Sequence, residues 1–343
     1  MRRFSVYMVM FFLTLNLMGQ NDEYEQYYRH INEHLSIGNC DKAQRLYDVF
    51  RVESGRKDVA IEQMITKCLS VHGATNTRKG TIMRCDTTLS VGEVEFKMVW
   101  VVGGTFMMGC TTEQGGDCDE NEKPAHSVMV DDYYIGETEV TVDLFSTFVV
   151  QTGYITENEK RKVNTGVYHS KVDGVHDTSY AGDWCRNTHG GTRNREEYGH
   201  PVIYVAWNDA VEFCKWLSQK TGRTFRLPTE AEWEFAARGG NLSKGYKYSG
   251  EDVVDSVAWY GLNYREGTHP VKMKQANEIG LYDMSGNVKE WCSDSDETYS
   301  HSRRIYRGGS WHSSSKYCRV SERSSIDQDY GDDEMGFRLV MCP

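Results

Sequence analysis

After Met18 the chain has no long hydrophobic run, so nothing later in it matches the ~20 apolar residues that a helix needs to cross a bilayer. It lacks any basic cluster as well: lysine and arginine are scattered and the formal net charge is -11. Phosphate neutralisation needs a basic face, so the reading is of no nucleic-acid partner. No cysteine follows the N-terminal apolar run at the expected cleavage point, which argues against a lipoprotein. Long periodic segments are scarce after Gly239, where Gly, Ser, Asp and Tyr dominate. Such a segment must be held by turns, buried polar networks, ions or disulfides, which fits a loop-rich α+β domain better than a doubly wound sheet.

What is present begins with an export signature. Met1-Arg2-Arg3 precedes the apolar stretch Phe4 to Met18, then Gly19-Gln20 and the polar Asn21-Asp22-Glu23. A charged start, a hydrophobic stretch of secretory length and a small-residue exit predict a signal peptide over residues 1–20 and an exported product, periplasmic or extracellular. An uncleaved membrane anchor is the competing reading. The 343 residues leave room for one large domain plus a small one, or for two ordinary ones. All ten cysteines lie beyond the signal, and an even count in an exported chain reads first as disulfides.

Residues 21–70 carry helical periodicity in three stripes. Tyr24, Tyr27, Tyr28, Ile31 and Leu35 form the first, Ala43, Leu46, Tyr47 and Phe50 the second, and Ile61, Met64, Ile65 and Cys68 the third. The placement of Ala43 and Tyr47 after Gly38-Asn39 resembles tetratricopeptide helices, although one or two units make no repeat array. Cys40 and Cys68 are positioned to staple this small module. His30-Ile31-Asn32-Glu33-His34 matches a metallopeptidase string, but its surroundings are polar and no third ligand can be named, so solvated helix-face histidines are the simpler account. Residues 71–90 read as a linker.

From Val91 the texture changes. Val94 to Val101 alternates, and Gly103 to Gly109 follows with glycine punctuation, which predicts strands and a hairpin. A helix is expected from an N-cap at Asn208, with Ala210, Phe213, Cys214 and Leu217 on its apolar face. Another is expected after Thr229, where Glu232 three residues on completes a capping box.

Several segments then occur together in order. They are Gly103-Gly104-Thr105-Phe106, His200-Pro201-Val202, Arg226-Leu227-Pro228-Thr229-Glu230-Ala231-Glu232-Trp233-Glu234, Gly280-Leu281-Tyr282-Asp283-Met284-Ser285-Gly286-Asn287-Val288-Lys289-Glu290-Trp291, Arg307-Gly308-Gly309-Ser310-Trp311 and Met335-Gly336-Phe337-Arg338. Over residues 91–343 they resemble the formylglycine-generating enzyme (sulfatase-modifying factor) family. The resemblance implies an irregular α+β fold of the C-type-lectin-like kind, preceded here by the small α-helical module.

It also implies a chemistry to test: oxidation of a sulfatase cysteine to formylglycine by oxygen and copper(I) held between two cysteine thiolates. Soft thiolates suit copper(I). At the family's two cysteine positions this chain has Ser313 and Cys318, with Ser310 in the preceding string. A neutral serine is a hard, weakly basic oxygen and cannot stand in for the missing thiolate. The expectation is a binding or scaffold protein that engages a polypeptide or cell-surface component. The alternative is an active oxygen-dependent oxidase that keeps Cys318 and recruits another ligand such as His312. By the same resemblance Cys214 is expected to pair with Cys342, and the neighbourhood suggests Cys292 for Cys318. Cys110 and Cys118 bracket a short loop and are expected to pair locally.

The resemblance further implies a calcium ion held by Asp283, the carbonyls of Gly286 and Val288, and Glu290. Hard oxygens from a tight turn, with two carboxylates to offset the charge, are suitable calcium chemistry. Asp283 and Asn287 merely capping the turn is the competing reading.

Overall fold

The computed structural model describes residues 25–36, 43–44, 46–47, 50–51, 57–72, 86–165, 199–263, 267–296 and 302–343. The export signal over 1–20, Cys40, Cys85, Cys185 and the side chain of Cys68 lie outside the described residues. The chain divides into two compact units, Met1–Met83 and Arg84–Pro343.

In the first unit, helix α1 spans Glu25–Ser36 and α2 spans Val59–His72. The apolar stripes converge: Ile31, Ala43, Leu46, Tyr47, Phe50, Ile61 and Ile65 are all buried. The Tyr28 and Phe50 rings meet edge-on at 5.1 Å. Asp58 starts α2 because its carboxylate accepts the Ala60 and Ile61 N–H groups, at 2.9 and 3.1 Å, that the first turn leaves unpaired. Met64 turns outward instead of joining the third stripe.

The second unit opens with strand β1 (Thr87–Val91), inside the stretch expected to be linker, which pairs antiparallel with β2 (Val94–Val101). Strand β3 (Gly104–Met108) does not return on β2 as expected. It pairs with β4 (His126–Val130) in a separate ribbon. Between the two strands the chain passes close to the β4 end, and only glycine fits at position 103, since a Cβ there would lie 2.3 Å from the Val130 carbonyl oxygen. Strand β5 (Tyr133–Gly136) returns to β2. Helices α3 (Val142–Thr152), α4 (Glu157–Thr165) and α5 (Trp207–Thr221) follow, then β6 (Phe225–Arg226) and α6 (Glu230–Ala237).

The C-terminal segments supply β7 (Lys289–Ser295), β8 (Arg303–Arg307), β9 (Arg323–Asp327), β10 (Met335–Gly336) and β11 (Val340–Met341). They assemble a five-stranded sheet in the order β1-β2-β5-β11-β6 and a four-stranded sheet in the order β10-β7-β8-β9. The unit is an α+β fold with short curled sheets and long irregular connections.

Helix α5 starts two residues earlier than expected, with Ala206 as its N-cap in place of Asn208 and the Asp209 carboxylate accepting the Ala206 N–H at 2.8 Å. Its expected face is buried: Ala210, Phe213, Cys214 and Leu217 pack with Phe145, Phe148 and Phe337. The capping box of α6 is as read, with Glu232 N–H on Thr229 Oγ1 at 3.1 Å and Thr229 N–H on Glu232 at 2.8 Å. That helix carries Trp233 and Phe235 into a second core with Val99, Val101, Leu281 and Ile305.

Candidate functional site

Two neighbouring structures are built from the motif segments: a buried carboxylate cluster beneath the 281–290 turn, and a pocket over the 307–318 segment.

The turn is set by backbone that few residues tolerate. Asp283 and Asn287 sit at φ 57° and 61°, in the left-handed region where a short polar side chain is favoured over other non-glycine residues. Gly286 has φ 79°, and a Cβ there would lie 2.2 Å from the Trp259 carbonyl oxygen. The turn then hands its polar groups inward. Asn287 accepts the His269 N–H at 3.0 Å and donates to Glu139 Oε1 at 3.1 Å. Glu290 accepts the Trp233 indole N–H at 2.7 Å and is gripped by Arg338 at 2.8 and 2.7 Å.

Of the two carboxylates expected to hold calcium, Asp283 is the one with a buried oxygen that lacks a hydrogen-bond partner. Its Oδ2 accepts the Lys272 backbone N–H at 2.8 Å, while Oδ1 is buried with no hydrogen-bond partner. Glu290 is already charge-balanced by Arg338, and Gly286 and Val288 lie on the same turn. A second orphaned carboxylate oxygen, Glu139 Oε2, is also buried. Burial pushes the Glu139 carboxyl well up, reinforced by Asp283, and burial raises Asp283 to about 6. Unsatisfied hard oxygens in a dry site fit a calcium-type cation.

The pocket is a cavity of about 420 Å³ lined by Lys289, Tyr306, His312, Ser313, Tyr317 and Glu322, among others. Its floor depends on Gly309, at φ 70°, where a Cβ would sit 3.0 Å from Cys318 Sγ. Cys318 is fully buried under that glycine, and burial pushes its thiol up to about 12. Ser313 lines the pocket, and its Oγ accepts the Ser310 N–H at 3.0 Å. Ser310 in turn donates its hydroxyl to Glu334. The proton order follows: Glu334 only accepts, so the Ser313 hydroxyl donates to Ser310 Oγ, 3.0 Å away. Burial alone would raise Glu334, yet Ser310 and Lys289, the latter at 2.9 Å, hold it below the usual carboxylate range. His312 is largely exposed, with Nδ1 3.8 Å from Glu334.

The expected disulfides divide. Cys110 and Cys118 are bonded. Cys214 and Cys342 are both free thiols, which corrects the expected bridge. Cys214 points into the aromatic core of α5, whereas Cys342 follows β11 with its N–H on the Thr224 carbonyl at 2.9 Å and its thiol against Arg226. Cys292 and Cys318 are also unpaired, because they belong to different apolar clusters.

A sequence profile described as the sulfatase-modifying factor enzyme 1-like domain matches residues 90–342. The chain belongs to the sulfatase-modifying factor family. A formylglycine-generating enzyme from Streptomyces coelicolor is 34% identical over 281 residues, covering 69% of this chain and 87% of the enzyme. The inactive C-alpha-formylglycine-generating enzyme 2 of Bos taurus is 31% identical over 271 residues, covering 71% and 87%. Treponema denticola variable protein 1, a solved structure, aligns with a TM-score of 0.57 at 29% identity, covering 75% of this chain and 99% of that one.

Within this family member, sequence reasoning placed Ser310, Ser313 and Cys318 on one segment, and the structure keeps them there. It missed Glu334, Glu322 and Glu139. Glu334 immediately precedes the Met335-Gly336-Phe337-Arg338 string and was within reach of the motif reading. Glu139 and Glu322 carried no spacing signal, since their neighbours come from distant segments.

Proposed function

We propose that this family member is an exported, calcium-stabilised binding protein whose pocket engages a polypeptide or cell-surface component, and that it does not perform two-thiolate copper oxidation. The observation that carries this reading is the Ser313–Ser310–Glu334 relay. At the position where a copper-binding thiolate is needed, the side chain is a hydroxyl with its proton committed to a neighbour. Hydroxyl oxygen is a poor donor to copper(I), and with Ser313 in that seat Cys318 is the one thiol of the pair, so the residues present do not fit a two-thiolate copper site. The pocket's tyrosines and hydroxyls suit recognition of a polar chain. That one similar protein is named as inactive is in keeping with this reading.

An oxygen-dependent oxidase remains the second reading, favoured by one observation: Cys318 is an unpaired thiol. Copper(I) titration of the reduced protein against a competing chelator, with oxygen uptake measured on a cysteine-containing peptide, separates the two. Neither tight binding nor uptake is expected. One tightly held copper(I), lost on Cys318→Ala and accompanied by turnover, overturns the binding-protein reading.

A further inference from the structure

We propose that the pocket takes its polypeptide through a lysine side chain, with Glu322 receiving the ammonium and so selecting which chains bind. This rests on the binding-pocket part of the proposed function and names the chemistry that the pocket reads.

Charges on the pocket wall do not sum to zero. Lys289 is spent on Glu334 at 2.9 Å, and the largely exposed His312 faces the same carboxylate at 3.8 Å. Arg307 is fully buried and belongs to a balanced ladder, in which Arg238, Arg307 and Arg323 face Glu113, Glu230 and Glu234 at 2.5–2.8 Å. Lys316 is engaged with Asp119 at 2.6 Å. The next set is uneven. Arg319 is one guanidinium between two carboxylates, and it places both terminal nitrogens on Glu122, at 2.8 and 2.6 Å. Glu322 keeps a single contact with it, through Oε2 at 3.1 Å. One carboxylate on the wall is therefore left without a counter-ion of its own. It is 7% exposed, and away from bulk water such a charge attracts a cation far more strongly than it would at the surface.

The acceptors on the wall indicate which cation. Among the described residues Glu322 Oε1 accepts no hydrogen bond, and the side-chain hydroxyls of Ser314 and Ser324, which line the same pocket, make none. The wall thus offers three oxygens with open lone pairs, and a lysine ammonium carries three donors on one compact centre. Arginine is matched less well. Its planar fork pairs with both oxygens of a carboxylate, and Glu322 has already given Oε2 to Arg319. Tyr317, on the same wall and 46% exposed, presents a ring to cover the aliphatic stem of a lysine whose head reaches Glu322.

The test uses the full chain at pH 8, above the value of about 7 to which burial and the Glu122 charge raise Glu322. End-blocked heptapeptides of glycine and serine with a central lysine, norleucine, arginine or glutamate are titrated by ligand-observed NMR, alongside thermal melts of the protein. The lysine peptide is expected to bind at least tenfold more tightly than the norleucine peptide and more tightly than the arginine peptide, with no binding of the glutamate peptide. Glu322→Gln is expected to erase the preference for lysine over norleucine while melting no lower than the wild type, because it removes an uncompensated charge. A Glu322 that serves only to hold Arg319 gives the opposite pair of results, a lower melt and an intact preference, and that outcome overturns the assignment. Norleucine or glutamate bound as tightly as lysine overturns the cationic class and leaves the binding pocket standing, and arginine bound more tightly than lysine overturns the choice of an ammonium. A wild type that binds none of the four peptides overturns the pocket reading as well. If Glu322→Gln does not fold, Glu322→Asp keeps the charge and draws the oxygen back. Its preference for lysine is expected to fall at least threefold, and an unchanged value overturns the assignment.

Discussion

Arg319 holds Glu122 in a two-pronged ion pair, with Nη1 2.8 Å from one carboxylate oxygen and Nη2 2.6 Å from the other, both side chains buried. The pair ties the segment just after the Cys110–Cys118 loop, whose Glu122 carbonyl accepts the Cys110 N–H at 2.8 Å, to the segment that carries Cys318 and the pocket wall residue Glu322. Removing the guanidinium strands a buried carboxylate. Arg319→Met is expected to cost about 3–5 kcal/mol by chemical denaturation. Adding Glu122→Gln should recover a large part of that loss, and purely additive effects would show that the two residues are not coupled.

The same link predicts how Cys318 is protected. Arg319 Nη1 also lies 3.7 Å from Cys118 Sγ, and Ser321 bonds Gln114 within the disulfide loop at 3.0 Å. Cys110→Ser/Cys118→Ser is expected to lose about 2–4 kcal/mol of stability. It should also speed alkylation of Cys318 by at least tenfold while Cys292, in the other core cluster, stays protected. Mass spectrometry of iodoacetamide-treated protein reads both rates. Equal rates for Cys318 in variant and wild type would show that the clamp does not govern access.

Glu322 gives the protein a pH dependence. Burial, then the Glu122 charge, pushes its carboxyl to about 7, because Arg319 is committed first to Glu122 and reaches Glu322 through one contact at 3.1 Å. A folded-state value above the unfolded one means that the group's contribution to stability is fully present below about pH 4.5 and is lost as the pH rises through about 7. Glu322→Gln should therefore stabilise the protein at pH 8 by about 1–3 kcal/mol and leave it nearly unchanged at pH 4.5. Denaturation curves at the two pH values check this.

Ser313→Cys should install the missing thiolate position. The variant is expected to bind copper(I) at least tenfold more tightly than the wild type in chelator competition, since sulfur replaces a hard oxygen on the segment that carries Cys318. No gain in affinity would mean that the buried Cys318 thiol cannot be deprotonated at this site, and that the substitution of Ser313 is not what prevents metal binding.

Much of the fold was legible because its signals are local. Thr229 and Glu232 announce the start of α6 within four residues, and the spacing of Ala210, Phe213, Cys214 and Leu217 declares one buried face of α5. The strand partners were not legible in the same way. Gly103 and Gly104 look like hairpin punctuation, but each marks a close approach from a distant segment, the Val130–Asp131 backbone at Gly103 and the Asn241 side chain at Gly104. The Cys214–Cys342 bridge failed for a related reason: position in the chain does not fix the direction in which a thiol points.

The sequence by itself determined the family, the order of the motif segments, the identity of Ser313 where a thiolate would be required, and the local start of α6. Those properties depend on residues a few positions apart. Tertiary structure alone decided which charges are balanced. Glu139 meets Asn287 across 148 positions and Arg319 meets Glu122 across 197. Whether a buried carboxylate is paired, shared with a proton or open to a cation depends on desolvation and on the nearest opposite charge, and both are set only when distant segments close around it.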